Sequence, residues 1–459
     1  MILIGSRDTV FSGDEFGMLY RVAHQPLGEA LFEPPPDKYL IAVPTLIYGA
    51  IATVFGADTY LPYRVLGALL VILAAGLFLV LASRRGPIGF ALGGAVLLLF
   101  LGTGSTTVAI PGQVPGQIAI CAGLGMLLAL DRDDRRRAIA ACALGVLAVI
   151  SHPIALTFLV AGGVLLVART RTGWRDLWVV IVPALVYGLW WTTLRQPPSV
   201  EAPVPLSGVL EFGRDAFVVL CGAVTGIFRP PWTDGVDLIT PATAVIAVLA
   251  LTGAVVAVIR ARRVSPWLMA AAAALAFNLI APALAPGGFA FGFRGPETPR
   301  YIYPGVVLLL WTIAELVALR SPTTRRPTAL AAGACAVFAL AMISNVGELI
   351  DSARGFRAES AVIESELGAL EAAREGRTPE QMAAQRGIEI DQSAGLLALM
   401  PLFSNADGVE SVVDAAPAAY AIADSFGLTA LSPEQVAELE GPLAEQAELV
   451  LEAARPDGP

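Results

Sequence analysis

Apolar residues run along this chain in long blocks separated by short polar punctuation, a pattern unlike the one-sided stripes of helices on a soluble core. A bilayer core of about 30 Å takes about 20 apolar residues as helix, with a working range of about 17–25. Blocks of that kind lie at 62–83, 87–103, 115–130, 176–194, 241–259, 265–285, 301–319 and 328–346. The run 138–168 is too long for one crossing and is interrupted by Ser151-His152-Pro153. Proline removes a helical donor and clashes with the preceding turn, so two short helices, 138–150 and 154–168, are predicted to meet in a tight turn at a membrane face. The whole predicts an all-α integral membrane protein with about ten spans.

Arginine clusters test that count. They fall at Arg84/Arg85, Arg132 with Arg135–Arg137, Arg169/Arg171/Arg175, Arg260/Arg262/Arg263 and Arg320/Arg325/Arg326. Excess Lys and Arg in loops marks the cytoplasmic side. With 138–168 folded back as a pair, every cluster lands on one side, whereas a single crossing there would invert everything that follows. The opposite side collects loops 104–114, 151–153, 195–240 and 287–300, rich in Gly, Pro and aromatics, together with residues 348–459.

Composition then narrows the function classes. Of 459 residues, 56% are hydrophobic and 15% charged, against about 45–50% and about 25% in ordinary soluble domains. Those values, with a mean hydropathy of +0.69, exclude a soluble enzyme, a nucleic-acid binder and a disordered scaffold. The net charge of −9 averages two unlike parts, because 21 acids against 6 arginines from Glu348 onward leave +6 on residues 1–347. Residues 348–459 therefore read as an acidic, extracytoplasmic, α-rich tail. Lys38 is the only lysine, and the four cysteines show no metal-binding or disulfide spacing. Neither a GxxxxGK[ST] nor a strand-borne GxGxxG pattern occurs, which argues against an ATP-driven pump.

The first sixty residues carry the candidate chemistry. Asp14 and Glu15 stand side by side in Phe11-Ser-Gly-Asp-Glu-Phe-Gly, and Glu33-Pro-Pro-Pro-Asp37-Lys38-Tyr39 leads into an apolar stretch from Leu40 to Gly56. Paired acids can move a proton or hold a divalent cation through their oxygens; no cofactor beyond such a cation is indicated. Residues 1–61 form the first extracytoplasmic loop in this reading, with an interfacial helix at 39–56, and residues 62–347 the transmembrane bundle.

In this order of elements the chain resembles the GT-C superfamily of polytopic glycosyltransferases, in particular the protein mannosyltransferase and aminoarabinose transferase branch. That branch places an acidic pair in the first extracytoplasmic loop, then a Glu-x-Pro-Pro element, an interfacial helix and a span opening with a Leu-Pro-x-x-Arg-like turn. Here Gly13-Asp14-Glu15, Glu33-Pro34-Pro35-Pro36 and Tyr60-Leu61-Pro62-Tyr63-Arg64 follow in that order, with Pro299-Arg300-Tyr301 opening a late span. The likeness covers roughly residues 10–346. Relatives of this kind begin with a transmembrane helix, whereas only Met1–Gly13 precede Asp14 here. A start codon upstream, with a first helix missing from this sequence, is the expectation; a crossing at Tyr39–Gly56 is the alternative and would put Asp14 in the cytoplasm.

The resemblance implies transfer of a sugar from a polyprenyl-phosphate donor to an acceptor hydroxyl on a lipid, glycan or protein at the outer face of the cell membrane, in cell-envelope chemistry. It assigns the base to Asp14, with Glu15 as a second acid or metal oxygen. Arg294 and Arg300 are the candidates for the departing phosphate, since arginine grips phosphate oxygens in bidentate fashion, and Tyr301 adds a hydroxyl. Lys38 and His152 complete the substrate-binding candidates; each also has a plainer reading, as a snorkelling anchor and as a turn histidine capping helix ends. Glu315, an acid inside a predicted span, is unassigned. The competing classes are a transporter or flippase of lipid-linked sugars and a non-catalytic lipid-binding relative.

Overall fold

The computed structural model describes residues 14–33, 39–56, 60–109, 111–132, 134–169, 173–195, 205–226, 240–261, 264–284, 295–296, 298–319 and 338–357, with single positions beyond. Among these residues every regular element is helical. The chain divides into two compact units, one of residues 1–66 and 353–459 and one of residues 67–352.

The first unit contains α1 (Asp14–His24), α2 (Leu27–Phe32) and α3 (Ala42–Phe55), so the segment expected to be a loop is largely helical. On α1 the positions Glu15, Met18, Leu19 and Val22 follow the i, i+3, i+4, i+7 spacing of one helix face, and the first three are fully buried. That face meets α3, where Thr45, Tyr48, Gly49 and Ala52 form the matching stripe. A Cβ on Gly49 would stand 2.5 Å from Val22 Cγ1, so the two helices touch backbone to side chain at that point. With 14 residues, α3 is roughly 21 Å long, too short for a hydrocarbon core of about 30 Å.

In the second unit, α4 (Leu61–Ser83) begins in the first unit and runs on as a 23-residue apolar helix. It is followed by α5 (Ile88–Leu99), a 3-10 turn at Gly102–Gly104 and the short α6 (Ser105–Ala109). Then come α7 (Val114–Ala129), α8 (Arg135–Val149), α9 (Ala155–Ala168), α10 (Gly173–Asp176) and α11 (Trp178–Thr193). The unit continues with α12 (Leu206–Thr225), α13 (Pro241–Ala261), α14 (Pro266–Leu284), α15 (Pro299–Ala318) and a helix over 338–357. Among the described residues, five helices are long and apolar enough to cross a membrane, or six if the α5–α6 pair, bent by 49°, counts as one. They match the expected spans 62–83, 87–103, 176–194, 241–259, 265–285 and 301–319. The spans expected at 115–130, 138–150 and 154–168 are shorter helices of 16, 15 and 14 residues; the part of 328–346 before residue 338 lies outside the described residues.

The folded-back pair is present. Asp134 opens α8 by accepting from the Arg136 N–H, a common helix start; α8 ends at Val149 and α9 begins at Ala155. In the turn between them, Ser151 Oγ donates to the Leu147 carbonyl at 2.6 Å. Phe158 on α9 packs into Gly123 of α7, where a Cβ would lie 2.3 Å from its ring. Close approach at small residues is how helices associate without a hydrophobic drive in lipid.

One element differs from expectation. The stretch 195–240, read as an outer loop, contains the 20-residue α12. Its apolar face, Val209, Phe212 and Ala216, packs on Leu279, Ile280 and Ala283 of α14. Glu211, Arg214 and Asp215 interrupt its apolar run, so block-counting passes over it. Leu220 fills the space beside Gly305, near the start of α15, so α12 lies along the ends of α14 and α15 remote from the arginine clusters.

Arg84, Arg85 and Arg169, from two of those clusters, do converge. Arg84 and Arg85 after α4 both pair with Asp131 after α7, and Arg85 Nε stands 3.8 Å from Glu315 Oε1 near the end of α15. The Arg85 guanidinium lies 3.7 Å above the Trp267 ring at the start of α14. Arg169, at the end of α9, donates to the Leu130 carbonyl at 2.6 Å and faces the same ring at 5.5 Å. Five helix ends therefore meet at one end of the bundle.

Candidate functional site

The acidic pair opens α1. Glu15 is fully buried, and each of its carboxylate oxygens accepts a phenol: Tyr48 donates to Oε1 at 2.7 Å and Tyr60 donates to Oε2 at 2.6 Å. Tyr63, one turn into α4, completes an aromatic wall, its ring centroid 4.9 Å from Tyr48 and 6.1 Å from Tyr60. Three separate stretches, α1, α3 and the Tyr60–Arg64 turn, thus close on one carboxylate. Charge-assisted bonds of this kind are shorter and stronger than neutral ones, which suits an ionised Glu15 away from water.

The surroundings respond to that charge. Burial, then the Glu15 carboxylate, pushes the Tyr48 and Tyr60 hydroxyls well above the usual tyrosine range, with Arg64 partly opposing at Tyr60. On the same helix Arg21 is buried; it donates to the Glu29 carbonyl at 3.0 Å, and burial lowers its pKa to about 10. Its role is to tie α1 to α2.

The other candidates are distributed as follows. Asp14 is the first residue of α1, its side chain outside the described residues, as are Lys38 and Arg294 altogether. Arg300 and Tyr301 belong to the second unit, in the first turn of α15; the Arg300 guanidinium lies 5.2 Å from the Tyr301 ring. His152, also in the second unit, sits in the α8–α9 turn, where its Nδ1 accepts from the Ile154 N–H at 3.2 Å. That bond is the capping geometry of a turn histidine. Among the described residues no group of three or more His, Cys, Asp or Glu side chains gathers as a metal site, and Glu15 is the one described side chain of the acidic pair.

Sequence reasoning missed the tyrosines as functional groups. Tyr60 and Tyr63 stand in the turn that marked the first clear span, and Tyr48 in the apolar stretch before it. The available signal was three phenols in and beside apolar segments, each needing a hydrogen-bond partner if buried. Nothing local shows that the partner of Tyr48 and Tyr60 is Glu15.

No protein-family model matches the chain, and no curated protein matches it. Among solved structures, it is similar to ArnT from Cupriavidus metallidurans in the apo state, at 15% identity over 98% of this chain and 75% of that one, with a TM-score of 0.43. A second crystal structure, the same ArnT bound to undecaprenyl phosphate, is similar at 14% identity over 98% and 74%, with a TM-score of 0.38.

Proposed function

We propose that this membrane protein is a glycosyltransferase of the GT-C kind, moving a sugar from a polyprenyl-phosphate donor to an acceptor hydroxyl on the extracytoplasmic face. The observation that supports the reading best is the closure of Tyr48 and Tyr60 on Glu15. It joins in space the acidic pair and the Tyr60–Arg64 turn that the resemblance pairs in order along the chain. A buried carboxylate held by two phenols at the opening of a helix is an investment in the position of that helix end, where Asp14 stands.

In this mechanism the acceptor oxygen attacks the anomeric carbon as its proton passes to the Asp14 carboxylate. The bond from that carbon to the phosphate oxygen breaks, and polyprenyl phosphate leaves with the electron pair. Glu15, with both oxygens already accepting, serves to fix the N-terminal end of α1. Arg294, Arg300, Tyr301 and Lys38 are the proposed partners of the departing phosphate, whose growing negative charge is best met by pre-placed donors. His152 is the proposed sugar or phosphate donor. Glu15, fully buried with both oxygens held by phenols, does not suit the role of cation ligand that the acidic pair suggested.

The test is transfer from a polyprenyl-phosphate-linked sugar by the full-length protein in lipid. Asp14→Asn is expected to lower transfer by about 10²–10⁴-fold, the usual worth of a positioned base; unchanged transfer removes Asp14 from the role. The 49° bend between α5 and α6 is the one feature that favours the flippase reading, since transporters use broken helices at their sites. Movement of the lipid-linked sugar across the bilayer with the donor left intact would decide for that reading.

A further inference from the structure

Four buried polar side-chain atoms at and beside the α5–α6 break have no hydrogen-bond partner among the described residues. Among the described residues, Ser105 Oγ, Thr106 Oγ1, Gln117 Oε1 and the Tyr303 hydroxyl are all buried and unbonded. Ser105, Gln117 and Tyr303 are each at least 98% buried. They lie on α6, α7 and α15, and those elements touch. A Cβ on Gly104 would stand 3.2 Å from Tyr303 Cβ, and Gln117 Nε2 donates to the Thr107 carbonyl.

Folded proteins leave few buried polar groups unpaired, and each such group calls for a water, an ion or a ligand. Here the four share a chemistry. Three are hydroxyls, which both donate and accept, and one is an amide oxygen, which accepts. None carries charge, so a phosphate placed among them would be buried without a counter-charge, at high cost. A sugar ring suits them, because each of its hydroxyls also donates and accepts and brings no charge.

We propose that Ser105, Thr106, Gln117 and Tyr303 form a subsite for the uncharged sugar ring of the lipid-linked donor; the proposal rests on the glycosyltransferase reading. The fold supplies the subsite by breaking the helix after Leu99, which brings Ser105 and Thr106 of α6 beside α7 and α15. A structural polar group is missed when removed, whereas an orphan one is not. The subsite therefore carries an unusual signature: Tyr303→Phe and Ser105→Ala leave thermal stability unchanged or raise it, yet weaken binding.

The experiment uses the full chain in nanodiscs and four probes: polyprenyl phosphate, and the same lipid phosphate carrying glucose, mannose or arabinose. At least one sugar-bearing lipid is expected to bind tenfold or more tightly than the bare phosphate. It is also expected to slow amide exchange over residues 102–120. Tyr303→Phe and Ser105→Ala should each cut that preference roughly fivefold, the worth of one hydrogen bond, with bare-phosphate affinity unmoved. If bare and sugar-bearing lipids bind alike, or the variants keep the preference, the subsite is refuted and the glycosyltransferase reading stands. Loss of thermal stability in both variants would show hydroxyls satisfied by buried water in a structural role, which also refutes it. Binding of none of the four lipids overturns the subsite and the functional reading together.

Discussion

Tyr60 donates to Glu15 across forty-five positions of sequence, at 2.6 Å, with Tyr48 on the other carboxylate oxygen at 2.7 Å. Removing the carboxylate strands two buried phenols, whereas removing one phenol strands half a carboxylate. Glu15→Ala is accordingly expected to cost about 2–6 kcal/mol, from two unsatisfied buried donors at about 1–3 kcal/mol each. Glu15→Gln keeps one acceptor oxygen and offers an N–H₂ to the second phenol oxygen, so it should cost less than half as much. Thermal unfolding of the purified protein in detergent ranks the two; equal losses would mean that the carboxylate matters only as volume.

The same bonds set an alkaline limit. The Tyr48 and Tyr60 hydroxyls titrate well above the usual range in the folded protein and near pH 10 when unfolded. A raised folded pKa contributes stability that is fully present below the unfolded value and is lost as the pH climbs through the folded one. The thermal midpoint should therefore fall from about pH 10 upward. Tyr60→Phe should fall less steeply over that window, because one of the phenols that Glu15 and burial raise, Tyr48, Tyr60 and Tyr63, is gone. Arg21, lowered to about 10 by burial, acts in the opposite sense but is common to both proteins and cancels in the comparison. Parallel curves would remove Tyr60 from the linkage.

Much of the bundle was legible because lipid imposes a length. Blocks such as 62–83 and 301–319 became α4 and α15 within a few residues, and Pro153 placed the turn between α8 and α9. The grouping of Arg84 and Arg85 with Arg169 was legible too, since Arg85 and Arg169 both stand against Trp267. Two features were not. The α12 helix escaped because Glu211, Arg214 and Asp215 interrupt its apolar run, and its amphipathic face is read only once α14 is known to lie beside it. The partners of Glu15 escaped because a carboxylate's burial is decided by residues thirty-three and forty-five positions away, which no local pattern encodes. Gln117 and Tyr303 were legible as residues of span starts, but their lack of partners is a property of packing alone.

The arginine end of the bundle should behave as a unit. Arg85 pairs with Asp131, faces Glu315 Oε1 at 3.8 Å and covers Trp267 at 3.7 Å. Ser265 Oγ meanwhile donates to Glu315 Oε2 at 3.4 Å. Arg85→Ala leaves Glu315, 3% exposed, without its counter-charge, and breaking a buried pair from one side costs about 3–5 kcal/mol. Glu315→Gln removes charge without creating an unpaired one and should cost about 1 kcal/mol or less for one altered hydrogen bond. In the double variant most of the Arg85→Ala loss should be restored, as a thermal double-mutant cycle can show. Simple addition of the two losses would mean that Asp131 alone holds Arg85.

The helix over 338–357 should prove to be the clamp on the broken segment. Asn345, 1% exposed, accepts at Oδ1 from both the N–H and the Oγ1 of Thr103, each at 3.3 Å. Its Nδ2 donates to the carbonyls of Ala223, at the end of α12, and Ala341. Close approach accompanies these bonds, since a Cβ on Gly102 would stand 2.1 Å from the Asn345 carbonyl oxygen. Gly226, with φ of 74°, turns against the same helix, 2.7 Å from Ala341 Cα on the same construction. Gly102→Ala must push the helix over 338–357 off the segment, and overpacking of that kind costs about 1–3 kcal/mol. Asn345→Asp keeps the acceptor but buries a charge and forfeits both donated bonds, so it is expected to destabilise at least as much as Asn345→Ala. Amide exchange separates the outcomes: faster exchange over 102–109 in each variant marks a clamp, and exchange unchanged there but faster over 338–357 would make Asn345 an anchor of its own helix only.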